Sequence, residues 1–76
     1  MSIMQLLTLK DGQNGEVTEL TGGREFKDRM STLGIREKTR VRMIAKQPLG
    51  GPVVVKAGNT QITLGRGMAS KIMVNV

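Results

Sequence analysis

General acid–base catalysis, thiol chemistry and transition-metal ligation draw first on histidine and cysteine, and this sequence has neither. Tyrosine and tryptophan are absent too. Carboxylates remain, but Asp11, Glu16, Glu19, Glu25, Asp28 and Glu37 scatter over the first half of the chain. Glu25 and Asp28 are neighbours in sequence, yet each has a basic residue four positions away, Arg29 and Arg24, to satisfy it on a helix. The best phosphate-loop candidate, Leu64-Gly65-Arg66-Gly67-Met68-Ala69-Ser70-Lys71, lacks the GxxxxGK[ST] spacing. Its glycines read as turn residues. A metal would find only dispersed oxygen donors. The pattern excludes the usual enzyme classes, and no cofactor is expected.

What remains is the chemistry of contact. Residues 38–76 carry seven bases and no acid, whereas residues 1–37 are nearly balanced. Such a surface suits an acidic partner, a nucleic acid or an anionic membrane, or simply keeps a small protein soluble. Arg40, Arg42 and Lys46 are expected on one face of a strand, which would serve an RNA-binding small barrel. Against RNA, Phe26 is the sole aromatic residue, so no base-stacking platform exists. Proline-rich peptide recognition fails for the same reason. Protein–protein contact is the favoured class, nucleic acid is an unfavoured partner, and self-association is left open.

The elements that position these groups are short. Seventy-six residues make one domain, taken here as 1–76. Ten glycines cut the chain into pieces too small for long helices. No apolar run reaches the ~18 residues of a membrane span. The N-terminal stretch lacks a basic flank, and the absence of cysteine suits a reducing compartment, so a cytoplasmic location is expected.

Lys10 to Gly15 reads as a turn, followed by a strand over Glu16–Leu20. Val17 and Leu20 lie three apart, which a bulge between them would reconcile. Arg24–Leu33 is the one clear helix: Phe26, Met30 and Leu33 recur at helical spacing. Gly34 ends it, with Ile35 placed to fold back on Met30 in a Schellman motif. Thr39–Lys46 reads as a strand with Val41, Met43 and Ala45 on its inner face. Pro52–Ala57 and Thr60–Leu64 form a hairpin around Gly58-Asn59, pairing Ala57 with Thr60, Val55 with Ile62 and Val53 with Leu64. Gly65–Ser70 has room for a single helical turn, and Lys71–Val76 closes the sheet. Five strands and one helix predict a mainly β domain, closed into a small barrel that hides its edges.

The ordered set Leu9-Lys10-Asp11-Gly12, Gly15-Glu16-Val17, Leu20-Thr21-Gly22-Gly23, Arg29 to Ile35, Pro48 to Val53, then Ala69, Ile72 and Val74 resembles the FeoA family. These are small accessory proteins of ferrous iron uptake. The resemblance covers nearly the whole chain and implies an SH3-like barrel with an inserted helix. It also implies a cytosolic protein that contacts the cytosolic GTPase part of the FeoB iron permease, and meets the membrane only through that partner. A further similarity is to the C-terminal domain of iron-dependent repressors, which implies a regulatory role. The family is described as binding transition metal, whereas this chain offers no His or Cys ligand. On the partner-binding surface the resemblance places the loop Pro48, Leu49, Gly50, Gly51 and Pro52, with Leu49 projecting. Beside it stands the helix end, Leu33, Gly34 and Ile35, flanked by Arg29 and Arg36 for acidic groups.

Overall fold

A computed structural model describes residues 2–76. Its strands are β1 (Ile3–Gln5), β2 (Asn14–Leu20), β3 (Arg40–Lys46), β4 (Val53–Ala57), β5 (Thr60–Leu64) and β6 (Ile72–Asn75). A 3-10 turn follows β1 at Leu6–Thr8, helix α1 spans Arg24–Thr32 and a one-turn helix α2 spans Arg66–Ala69. The fold is mainly β and barrel-like, as the pattern predicts, with six strands rather than five. The additional strand is β1.

All the pairings are antiparallel, in the order β1-β6-β2-β3-β4-β5. The curled sheet is not closed by hydrogen bonds, because β1 and β5 are its two ends. The edges are therefore not all hidden, contrary to the expectation of closure. Curvature comes from two bulges. In β2 the register shifts between Val17 and Glu19, which puts both Val17 and Leu20 inside, as their spacing predicts. In β3 it shifts between Met43 and Ala45.

The second bulge corrects the reading of β3. Val41 and Met43 are buried, but Ala45 pairs with the outward Val54 and is exposed. Lys46 pairs with the buried Val53 and so shares the inner face, half-buried at the rim. It does not join Arg40 and Arg42.

The β4–β5 hairpin has the expected register throughout. Only Gly58 of its two turn residues has positive φ, +62°, as a loop opening on glycine requires. Leu6, Met30, Ile35, Met43 and Ile72 have no exposed area and Leu64 almost none, so nearly every element contributes to one core.

Helix α1 ends as its sequence dictates. Gly34 has φ +94°; its N–H donates to Ser31 O at 3.0 Å, and the Ile35 N–H donates to Met30 O at 2.8 Å. This is a Schellman motif, with Met30 and Ile35 both buried. Leu33 departs from the expected core stripe. It caps the helix and is 37% exposed, because the chain turns at Gly34 and sends Ile35 inward in its place. Phe26 is half-buried and packs over Gly22, where a Cβ would lie 2.6 Å from the Phe26 Cβ. Lys71 Nζ stands 5.5 Å from the centre of the Phe26 ring.

Candidate partner-binding surface

Two regions carry the expected partner-binding residues, and they differ in character. The first is the β3–β4 loop. Pro48, Leu49, Gly50 and Gly51 form its tip, closed by the Gly51 N–H donating to Pro48 O at 3.3 Å, with the Gln47 N–H donating to Pro52 O at 3.1 Å below it. Leu49 and Gly50 have φ of +61° and +77°, the two successive positive values of a type I′ turn. Glycine suits such a position; leucine does not, since its Cβ crowds the backbone. Leu49 is also entirely exposed, at 103%. Gly51 is needed for closeness: a Cβ there would meet the Gln47 Cβ at 2.7 Å.

The second region is the C-terminal end of α1. Ser31, Thr32, Leu33, Gly34 and Arg36 form one wall of a cleft of about 580 Å³, and Thr60–Thr63 form the other. Arg36 is fixed to the helix end by Nε–H donation to Ser31 Oγ at 2.9 Å. Its backbone N–H donates to Thr39 Oγ1 at 3.0 Å. Arg29 is exposed one turn back and is not part of the cleft lining. Ile35, expected with its neighbours on the partner surface, has no exposed area and anchors the helix end to the core.

The structure thus gathers Leu33, Gly34 and Arg36 with β5. It does not add the loop to that cleft. Residues 48–52 project beyond the Val53–Leu64 pair, whereas the Gly58-Asn59 turn lies at the hairpin's opposite end. Sequence reasoning missed the contribution of Thr60–Thr63. The sequence carries no local signal for it, because sheet order decides which strand is an edge.

A separate basic cleft of about 230 Å³ lies on the outer sheet face. Asn14, Arg40, Arg42, Lys56 and Gly58 line it, with Arg42 directly opposite Lys56. Lys56 takes the place expected for Lys46. Among the described residues no group of three or more Asp or Glu side chains gathers to hold a metal ion. The residues present therefore do not fit an intrinsic transition-metal site. No helix among the described residues is long and apolar enough to cross a membrane.

Comparison with known proteins points one way. Residues 4–76 match the model of the FeoA domain family. A protein of Methanocaldococcus jannaschii carrying the provisional name Fe(2+) transport protein A is 32% identical over 65 residues, covering 86% of this chain and 77% of that one. Among solved structures, an iron uptake regulatory protein (FeoA) superposes with a TM-score of 0.91 at 22% identity, covering 97% of each chain. A manganese-dependent transcriptional repressor superposes with a TM-score of 0.87 at 24% identity, covering 96% of this chain and 41% of the repressor. The repressor likeness is one of fold.

Proposed function

Since the chain belongs to the FeoA domain family, whose members are ferrous iron transport accessory proteins, we propose that it acts without catalysis, by protein–protein contact. Its partner in this reading is the cytosolic GTPase part of a FeoB-type ferrous iron permease. The site of action is the cytoplasm, and the membrane is reached only through the permease. Iron is the cargo of that partner and needs no site on this chain.

The observation that supports the reading is Leu49. Left in water, its side chain forgoes the ~1.5–3 kcal/mol that burial of a leucine supplies. Its backbone conformation costs about 1–2 kcal/mol more than a right-handed one. The turn needs the backbone conformation but not a leucine, and the exposed side chain serves no contact within the folded chain; both suit an apolar anchor presented to a second protein. Arg36 and Arg29 complement it with charges for acidic groups on the partner.

Titration of the isotope-labelled chain with the soluble cytosolic part of the cognate permease tests the proposal. Shifts centred on the Pro48–Pro52 loop and the α1 end are expected. Absence of shifts there, with salt-sensitive shifts at Arg40 and Arg42 on adding RNA, would replace it with the RNA-binding alternative.

A further inference from the structure

β5 is the last strand of the sheet, and among the described residues its outer side has no strand partner. The phase of its hydrogen bonds follows from the two-residue turn. The closing pair Ala57–Thr60 is bonded, so Val55–Ile62 and Val53–Leu64 are bonded as well. Lys56–Gln61 and Val54–Thr63 are the non-bonded pairs. The N–H and C=O groups of Gln61 and Thr63 therefore point away from β4. Among the described residues, no backbone or side-chain hydrogen bond outside the sheet engages them.

Edge strands are ordinarily guarded by a charge, a proline, a bulge or brevity. β1, at the other end, is only three residues long. Thr60–Leu64 has five residues, no charge and no proline, and its ladder with β4 is regular. This open edge faces the cleft whose far wall is Leu33, Gly34 and Arg36.

We propose that the outer edge of β5 accepts an extended, carboxylate-bearing segment of the partner protein as an added strand, seated between β5 and the end of α1. The partner's identity rests on the permease-contact reading above. Charge selects the occupant. The cleft is lined by Arg36 and by no acidic residue. Nε of Arg36 is held by Ser31, which aims the guanidinium and leaves its Nη donors for a carboxylate. Leu33 offers exposed apolar surface on the same wall. A second copy of this chain would instead bring another Arg36 and a further net charge of +6. Main-chain bonds to Gln61 and Thr63 would give affinity, and Leu33 and Arg36 would select the side chains, as strand addition generally works.

Amide hydrogen exchange of the full chain, with and without the soluble cytosolic part of the cognate permease, tests this. The Gln61 and Thr63 amides should slow about tenfold or more on binding, as newly made backbone bonds require. The Ile62 amide, already bonded to β4, should change less. Thr63→Pro removes an outward N–H that β4 does not use; it should weaken binding about tenfold, as loss of such a bond predicts. Arg36→Gln should also weaken binding and flatten its salt dependence. Should Thr63→Pro fail to fold, the exchange pattern and Arg36→Gln still decide.

Binding at wild-type strength by Thr63→Pro, with Gln61 and Thr63 unprotected in the complex, would overturn the added strand and leave the permease reading standing. Slowing that grows with chain concentration alone would give the edge to a second copy and overturn it too. No binding by the unsubstituted chain would remove both proposals together.

Discussion

The Ile35 N–H donates to the Met30 carbonyl across the left-handed Gly34, so one hydrogen bond both ends α1 and sends the next apolar side chain into the core. Space is not the reason for glycine here, since nothing lies within 4 Å of where a Gly34 Cβ would be. The requirement is φ +94°. Gly34→Ala should therefore cost about 1–2 kcal/mol, the penalty of a left-handed L-residue. Gly34→Asn should cost less. Urea midpoints of the two variants, read at constant m, check this.

Leu49 separates stability from contact. Asparagine tolerates positive φ better than leucine, so Leu49→Asn should raise stability by up to about 1 kcal/mol. The same variant should weaken binding to the permease domain by about 2 kcal/mol, some thirtyfold, if Leu49 is a hot-spot anchor. Calorimetric titration beside thermal unfolding gives both numbers. Unchanged affinity removes Leu49 from the interface.

Gly22 is constrained differently. An added Cβ would overlap Phe26 at its Cβ and ring. Gly22→Ala must displace that side chain and should cost about 1–3 kcal/mol, the usual range for overpacking. The ring-current shift on the Lys71 side chain, which sits over Phe26, should shrink in the same variant.

Arg42 and Lys56 are exposed like charges directly opposite each other on β3 and β4. Arg42→Glu turns the pair into an attractive one and should stabilise the chain by about 0.2–1 kcal/mol. The gain should fade as salt is raised, because an exposed pair is screened. Denaturation at two ionic strengths measures it.

Much of this was legible where two independent signals agreed. The β4–β5 register followed from Gly58-Asn59 and from alternating valines, which require the same pairing. The β2 bulge showed in the Val17–Leu20 spacing. The β3 bulge did not show, because Val41, Met43 and Ala45 alternate as well as any regular strand and only the partner strand reveals the shift. β1 was too short to display a period. Leu33 kept the helical spacing but lay at the cap, where the helix direction no longer governs side-chain placement. Of the candidate site, the left-handed backbone at Leu49 had no signature, since Leu-Gly is not a usual pair for such a turn. The free edge of β5 is a property of sheet order, which no local pattern encodes.

Strand β6 lies between β1 and β2, so residues 72–75 bind strands formed far earlier in the sequence. Until residues 72–75 dock, β1 has no neighbour and β2 has one side open. The β2–β3–β4–β5 meander can assemble earlier from near neighbours in sequence. Completion must wait for contacts between residues as distant in sequence as Ile3 and Asn75. Long-range closure of this kind slows folding at a given stability. A change that unseats β6 would therefore forfeit two ladders at once, leaving β1 without a neighbour and β2 open on one side.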